Sequence, residues 1–207
     1  MKLEIKNIEH KDIDVASKLL TKSFASDKGV IVLFEEKDPK YGHKVNQWFK
    51  ATLKMLIDNN QVINGVFEGD ELVGVSILTH TSYKPSFLSL LEWTFSILWN
   101  CGMKTVKLSA RHDNSRKNTF TNESQFILEF VAVNQKHRGK GIGRMLFEHL
   151  NVLADSKNVS VWLETTKDIN IEIFNKMGFT LKDTKIESSV KYYIMTNEQN
   201  HQSNNPT

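Results

Sequence analysis

Residues 126–150 read FILEFVAVNQKHRGKGIGRMLFEHL and contain the feature that decides the fold. The hydrophobic residues 126–133 predict a strand, and the amphipathic pattern that starts at Ile142 predicts a helix. Between them lies a turn of glycines and cations, Arg138-Gly-Lys-Gly-Ile-Gly-Arg144. Amides at a helix start carry a partial positive charge, and glycines let a phosphate approach the backbone closely. The sequence therefore predicts an anion-binding turn.

The spacing of this turn excludes two common nucleotide-binding motifs. A dinucleotide fingerprint needs G-x-G-x-x-G, but counting from Gly139 or Gly141 places Arg144 or Leu146 at the last glycine position. A Walker turn needs G-x-x-x-x-G-K-[ST], and no Gly-Lys pair in the chain precedes Ser or Thr. The pattern that fits is Arg-x-x-Gly-x-Gly following a strand.

A second motif lies downstream of the turn. Residues 159–165 predict a buried strand that ends in Glu-Thr, and residues 168–179 predict a short helix closed by a glycine. Together the two motifs resemble the GNAT-type N-acetyltransferases, whose R/Q-x-x-G-x-G/A turn holds the pyrophosphate of acetyl-CoA. The second motif of that family carries an Asn, usually a Tyr four residues later, and a Lys-x-Gly-Phe-like ending. This chain matches it at Asn170, Lys176, Gly178 and Phe179, and has Phe174 in place of the Tyr.

The resemblance implies an α/β fold built on one central mixed sheet. This sheet is expected to be mostly antiparallel and six- to seven-stranded, with a splay between strands 4 and 5 and helices on its flanks. The sequence pattern adds helices near residues 12–25 and 43–59, a loop at 26–42 and an extra helical segment at about 86–110. We expect residues 1–196 to form a single domain and residues 197–207 to be a disordered polar tail.

The resemblance also implies which residues hold acetyl-CoA. The backbone of the strand before the turn is expected to bind the pantetheine arm and to polarise the thioester carbonyl. The amides of the turn are expected to bind the pyrophosphate, and the helix of the second motif adds two side chains. The expected cofactor-binding residues are Val131, Ala132, Val133, Arg138, Gly139, Lys140, Gly141, Ile142, Gly143, Arg144, Asn170 and Phe174.

Glu129 is the candidate catalytic residue, as the general base. Strand alternation places Glu129 on one face with Ile127, Val131 and Val133, and the residues between them on the other face. A charged carboxylate among apolar side chains is disfavoured, which suits it to accept a proton from an ammonium group, directly or through water. In related enzymes an acid–base residue often occupies this stretch. The alternative is a carboxylate that reaches solvent or a salt bridge at the splayed edge.

The general acid that is frequent in the family is missing, because Phe174 has no proton to donate. Either the thiolate leaves unassisted or with the help of water, or a late tyrosine, Tyr192 or Tyr193, supplies the proton. Packing is the favoured interpretation of both tyrosines. His137, beside the turn, is predicted to face solvent.

Composition limits the other function classes. With 207 residues, a net charge of +3 and a pI near 8.8, the chain suits an anionic ligand but is not basic enough to predict nucleic-acid binding. The seven histidines show no metal-ligand spacing, so no metal site is predicted. One basic cluster is interpreted as a solvated helix face and loop: Lys104, Lys107, Arg111, Arg116 and Lys117.

The cysteine content and the apolar runs indicate a compartment. Cys101 is the single cysteine, so no internal disulfide is possible and a cytoplasmic location is predicted. The apolar run at residues 87–99 contains Glu92 and falls short of the ~20 residues that span a bilayer, so we predict a soluble helix and no membrane partner. Its Trp93 and Trp99 are candidates either for an acceptor pocket wall or for helix packing.

The function that the resemblance implies is N-acetyl transfer. We expect acetyl-CoA to donate its acetyl group to a primary amine of a small molecule or peptide, by direct attack in a ternary complex. A covalent acyl-enzyme is disfavoured, because Cys101 lies outside both motifs. The alternative, motivated by Phe174, is a catalytically inactive CoA-binding sensor or interaction protein of the same fold. The sequence leaves open which amine is the acceptor and whether the protein is a monomer or a homodimer.

Overall fold

The computed structural model describes residues 2–34, 36–117, 119–120 and 124–198. Its helices are α1 Ile13–Phe24, α2 Lys28–Ile31, α3 Tyr41–Asp58, α4 Phe87–Cys101, α5 Met103–Lys117, α6 Ile142–Lys157 and α7 Asp168–Asn175. Its strands are β1 Leu3–Asn7, β2 Val62–Glu68, β3 Glu71–His80, β4 Gln125–Val133, β5 Ser160–Thr165, β6 Thr180–Glu187 and β7 Val190–Thr196. Among the described residues, no helix combines the length and the apolar content needed to cross a bilayer.

The strands of the described chain form one sheet in the order β1-β2-β3-β4-β5-β7-β6. The β4–β5 pair is parallel, and the other neighbouring strands are antiparallel. Two parallel neighbours need a long crossover, and α6 provides it between β4 and β5. The predicted fold class, a mixed and mostly antiparallel sheet flanked by helices, is confirmed.

Helices cover both faces of the sheet and bury its side chains. On one face, α1 and α3 contribute Leu20 and Phe49, which pack with Ile77 of β3 in one cluster and are fully buried. On the other face, α6 contributes Leu150, which packs with Leu163 of β5. Each such side chain stabilises the fold by roughly 1.5–3 kcal/mol, which explains the apolar periodicity of the two long helices.

The predicted loop at residues 26–42 contains a short helix, α2. Asp27 begins this helix, since its side-chain Oδ1 accepts a hydrogen bond from the Gly29 N–H at 2.9 Å. Val30 lies within α2 and is buried in the same cluster as Leu20. A helix of four residues is too short to show a hydrophobic period, so the prediction of a loop was wrong at this point.

The predicted helical segment at about 86–110 is present but consists of two helices. Gly102 separates α4 from α5 with a φ of +93°, a backbone conformation that L side chains rarely adopt. α5 then continues to Lys117, beyond the predicted end of the segment.

The described end of the chain includes two residues of the predicted tail, Asn197 and Glu198. Asn197 is 5% exposed, and its side-chain Oδ1 accepts a hydrogen bond from the Val161 N–H at 2.7 Å. The backbone N–H of Asn197 donates to the Val161 carbonyl at 3.2 Å, so the hydrogen bonding between β5 and β7 continues one residue beyond β7. The rest of the predicted tail, residues 199–207, lies outside the described residues.

Candidate functional site

The glycine-rich turn has the backbone geometry of an anion site. Gly139 and Gly141 have φ values of +78° and +80°, and Gly141 is the residue that caps the start of α6. Within the described part of the chain, no side-chain hydrogen bond caps this helix end, so the first amides of α6 are available to a ligand. A Cβ built at either glycine would meet nothing within 4 Å, so the backbone conformation, and not crowding, explains why glycine is present. The turn therefore offers exposed N–H groups at the positive end of a 16-residue helix.

The side chains of the turn differ in burial: Ile142 is buried against the sheet, and the three cations are exposed. Ile142 is 1% exposed and packs with Val66 and Leu146, so it fixes the helix start to the sheet. Arg144 is largely exposed and donates through Nε to Glu148 Oε1 at 2.8 Å. Arg138 lines the main cavity, whereas Lys140 is exposed. The buried side chain of Ile142 leaves only its backbone accessible to a ligand at this turn.

An open strand edge lies next to the turn. β4 pairs with β5 only over residues 125–128, the last pair being Leu128 with Leu163. Val131, Ala132 and Val133 remain paired with β3 on their other side and line the cavity. Among the described residues, no strand pairs with their backbone groups on the β5 side, which is the predicted splay. An extended ligand can hydrogen-bond to such an edge as an additional strand would.

Glu129 forms a β-bulge, which corrects the predicted faces of β4. Ile77 pairs with Phe130 and Leu78 pairs with Leu128, so Glu129 is an extra residue without a partner in β3. One extra residue reverses the alternation beyond it. Phe130 therefore packs on the α1 and α3 side, against Phe24 at 5.1 Å between ring centroids. Val131 and Val133 contact the α6 side instead, so the prediction that they share the face of Glu129 was wrong.

Glu129 is bound by polar neighbours and does not lie in an apolar environment. Its Oε1 accepts a hydrogen bond from the Thr79 hydroxyl at 2.6 Å, and its Oε2 accepts one from Arg116 Nη1 at 2.7 Å. The carboxylate is 17% exposed and lines the same cavity as Val131. The salt-bridge alternative for Glu129 thus describes its contacts correctly, while its place on the cavity wall keeps it within reach of a ligand.

Arg116 connects Glu129 to a second partly buried carboxylate, Glu164, at the end of β5. Arg116 Nε lies 3.7 Å from Glu164 Oε2, and Lys185 Nζ lies 2.8 Å from Glu164 Oε1. Burial alone would lower the pKa of Arg116, but the nearby carboxylates, Glu129 foremost, raise it above its usual value. His112 completes the group, with Nδ1 3.3 Å from Glu187 Oε2. We call these six residues the charged cluster: His112, Arg116, Glu129, Glu164, Lys185 and Glu187.

Sequence reasoning missed most of the charged cluster. We had interpreted Arg116 as part of a solvated helix face, which is wrong because its side chain is 17% exposed and paired. Glu164 ends a strand with the pattern Glu-Thr, and this buried strand end was the available signal for a functional carboxylate. His112 and Lys185 come from distant elements, so only the fold reveals that they meet.

The residues of the second motif lie beside the splay. Asn170 Nδ2 donates to Thr165 Oγ1 at 2.8 Å and lines the cavity. Phe174 is 8% exposed and packs against Phe147, with ring centroids 5.6 Å apart. Its ring therefore belongs to the core beneath the splay and presents an apolar edge to the cavity.

The structure also shows the environments of His137, Tyr192 and Tyr193, three residues considered in the sequence analysis. His137 is 8% exposed, and its Nε2 lies 3.0 Å from Glu68 Oε2, so the prediction that it faces solvent was wrong. Tyr193 donates its hydroxyl to Asp168 Oδ1 at 2.6 Å, whereas Tyr192 lines the cavity. Burial, followed by the nearby carboxylates, raises the pKa of Tyr192, so its hydroxyl keeps its proton at neutral pH.

A cavity of ≈ 1150 Å³ joins the open strand edge to the charged cluster. One part, next to Arg138 and Asn170, is bordered by the splay. The other part is walled by apolar and aromatic side chains of α1, α3 and α4, among them Phe24, Trp48 and Trp93. Trp93 donates through Nε1 to Thr52 Oγ1 at 3.1 Å, which fixes its ring in the wall. The cavity can therefore hold an extended ligand along β4 and a second ligand beyond Glu129.

Comparison with known proteins agrees with this geometry. The family model of the acetyltransferase (GNAT) domain matches residues 103–181, which include α5, β4, the turn, α6, β5 and α7. A curated relative, a probable serine/threonine-protein kinase of Dictyostelium discoideum, is 20% identical over a match that covers 92% of this chain. The chain spans 22% of the length of that protein.

Several solved structures share the fold over nearly their whole length. The crystal structure of histone acetyltransferase HPA2 and related acetyltransferase from Corynebacterium glutamicum has a TM-score of 0.73 at 17% identity, covering 95% of this chain and 96% of that chain. Arylalkylamine N-acetyltransferase 2 from Aedes aegypti has a TM-score of 0.64 at 18% identity. The match covers 95% of this chain and 98% of that chain. PaiA N-acetyltransferase from Thermoplasma acidophilum, in complex with coenzyme A, has a TM-score of 0.61 at 15% identity. The match covers 95% of this chain and 98% of that chain.

At these identities the solved structures establish the fold, and the family model adds the sequence signature in the segment that forms the turn. Both agree with the resemblance that the two motifs indicate, which is thereby confirmed. The fold and the matched domain support acetyl transfer as the general type of activity. Residues 103–181 match the model of the acetyltransferase (GNAT) domain, and the described chain shares the fold of these solved acetyltransferase structures.

Proposed function

We propose that this protein is an acetyl-CoA-dependent N-acetyltransferase that transfers the acetyl group directly to a primary amine in a ternary complex. The observation that carries the proposal is the continuous cavity that joins the open edge of β4 to the carboxylate of Glu129. Acyl transfer needs the thioester and the amine held together beside a proton acceptor. In this cavity the open edge of β4, which we assign to the donor, lies next to the carboxylate of Glu129, which we assign to the amine.

The donor is held mainly by the backbone. The first amides of α6, which no side chain caps, bind the pyrophosphate, and Arg138 adds a full charge from the cavity wall. The edge of Val131, Ala132 and Val133 pairs with the pantetheine arm. An N–H of this edge polarises the thioester carbonyl and stabilises the oxyanion that forms when the amine attacks.

The amine loses its proton toward Glu129, directly or through one water. A carboxylate held by Thr79 and Arg116 keeps a fixed orientation at the bulge, and the ammonium form of the acceptor is attracted to it. Phe174 leaves the departing thiolate without a protein acid on α7, so the thiolate takes its proton from water. A free thiol has a pKa of about 8.5, which makes an unassisted departure feasible near neutral pH.

The test is a steady-state assay of purified protein with acetyl-CoA and a panel of amines, with coenzyme A release as the readout. We expect turnover with at least one amine class, and we expect Glu129→Gln to lower kcat by about 100-fold or more. Glu4→Gln changes an exposed glutamate of β1 and is the matched control. Normal kcat in Glu129→Gln would remove Glu129 from its proposed role.

The buried ring of Phe174 favours a second candidate, a CoA-binding protein without transferase activity. It predicts binding of acetyl-CoA in calorimetry but no release of coenzyme A with any amine in the panel. Because the chain spans about a fifth of its curated relative, a binding role within a larger protein is compatible with this candidate. Turnover with one amine class would exclude this second candidate and support the transferase.

A further inference from the structure

The outer face of α4 is an exposed apolar stripe. Helix positions that repeat every three or four residues place six large apolar side chains on one side of α4, away from α3. Their exposed fractions range from 38% to 90%. We call this set the α4 stripe: Phe87, Leu88, Leu91, Phe95, Leu98 and Trp99. The opposite face of the same helix is packed, since Ile97 and Cys101 are buried.

The composition of the α4 stripe is that of an interface core. Phe, Leu and Trp fill it, and the acidic residue of the helix, Glu92, lies at its edge, where it pairs with Lys54 Nζ at 2.6 Å. Aromatic residues are enriched and charged residues depleted at the cores of protein interfaces. Contiguous exposed apolar patches of this extent are rare on monomers and mark interaction sites.

The area of the α4 stripe matches what a stable dimer needs. Taking roughly 200 Å² for a fully exposed large apolar residue, the stripe exposes on the order of 750 Å². A standard protein interface buries about 800 Å² on each partner. One straight helix face can pair with its own copy about a two-fold axis, because both partners then present the same surface.

The charges around the stripe favour a protein partner over a lipid surface. An interfacial membrane helix carries Lys and Arg on its polar face. α4 contains neither residue type, and its charged residue is acidic. We propose that the α4 stripe is the surface through which two copies of this protein pair as a symmetric dimer.

The dimer contact would lie directly behind the wall of the cavity. Leu90 and Trp93 of α4 line the cavity, while the α4 stripe covers the outer side of the same helix. Pairing would hold α4 between α3 and the partner's α4. This proposal stands on the exposed face alone and does not depend on the acetyl-transfer activity.

The test is analytical ultracentrifugation of the full chain at micromolar concentrations. We expect the wild-type protein to sediment as a dimer, and we expect Phe95→Glu and Trp99→Glu to raise the dimer dissociation constant by about 30-fold or more. Val152→Glu is the matched control, because Val152 of α6 is 68% exposed, close to the 69% of Phe95. Trp99 is 90% exposed, so its replacement tests the interface without disturbing the core.

Each outcome decides the proposal. A monomeric wild type, or stripe variants that remain dimers, would overturn it. Equal dissociation in Val152→Glu would show a general effect of charge and would also overturn it. Flotation with phosphatidylserine-containing vesicles distinguishes the lipid alternative: a monomer that binds vesicles, and loses binding in Phe95→Glu, would identify the stripe as a membrane surface instead.

Discussion

At the scale of single residues, Arg116 is expected to contribute strongly to stability through its ion pairs. It lies between the carboxylates of Glu129 and Glu164, and Arg116→Met leaves the partly buried carboxylate of Glu129 without its cationic partner, whereas Glu164 keeps Lys185. Breaking such a pair costs about 3–5 kcal/mol, so the free energy of unfolding in urea should fall by that amount. Arg111→Met, at an exposed position of the same helix, should stay within about 0.5 kcal/mol of the wild type. Equal stability of the two variants would contradict the assigned pairing.

Cys101 is expected to be an unreactive thiol. Burial raises the pKa of Cys101 to about 11, and its Sγ–H donates to the Lys44 carbonyl at 3.4 Å. At pH 8 the thiolate fraction should therefore be about 100-fold lower than for an ordinary thiol, and alkylation should slow at least as much. Mass spectrometry after iodoacetamide treatment measures this, with the guanidinium-unfolded protein as the control. Rapid alkylation of the native protein would contradict the burial of Cys101.

At the scale of elements, Gly102 defines the junction of α4 and α5. Its φ of +93° and ψ of 167° lie in a region that is nearly restricted to glycine, so Gly102→Ala should destabilise the protein by about 1–3 kcal/mol. A Cβ there would meet nothing within 4 Å, so strain alone is tested. Gly42 of α3 is the matched control. It has equal space and a helical backbone, and Gly42→Ala should stabilise the protein by roughly 0.5–1 kcal/mol.

The start of α6 supports a second prediction about an element. Gly141 has a φ of +80°, so Gly141→Val should redirect the amides of the turn and weaken coenzyme A binding by about tenfold or more. Gly42 of α3 lies outside the turn and has room for a Cβ, so Gly42→Ala should bind coenzyme A normally. Calorimetry with coenzyme A measures both variants. Equal affinity of the two would refute a pyrophosphate site at this turn.

The elements also show where sequence patterns fail. The strand, turn and helix around residues 126–150 were predictable, because each has a local signature of period or glycine content. The bulge at Glu129 was not, since a bulge depends on how β3 pairs with β4 and leaves no local pattern in β4 itself. Every face assignment beyond Glu129 was consequently reversed, which is why Val131 lies on the α6 side.

At the scale of the whole molecule, the sequence predicted the sheet and its helices but not the contacts between distant elements. The charged cluster joins α5, β4, β5 and β6, which lie far apart in the chain. A different feature of the sequence limits the prediction of which side of α4 is exposed. Large apolar residues lie on most sides of this helix, so its period could not show that Trp93 lines the cavity while Trp99 is exposed.

A dimer held by the α4 stripe makes thermal stability depend on protein concentration. Partner binding stabilises the folded state by mass action, so the Tm of the wild type should rise as its concentration rises. In Phe95→Glu the rise of the Tm should begin only at concentrations about 30-fold higher or more, because the charge weakens pairing while its exposed position spares the core. Val152→Glu should behave as the wild type does. Differential scanning calorimetry over a wide concentration range measures all three proteins, and a concentration-independent wild-type Tm would exclude a folded dimer whose dissociation accompanies unfolding.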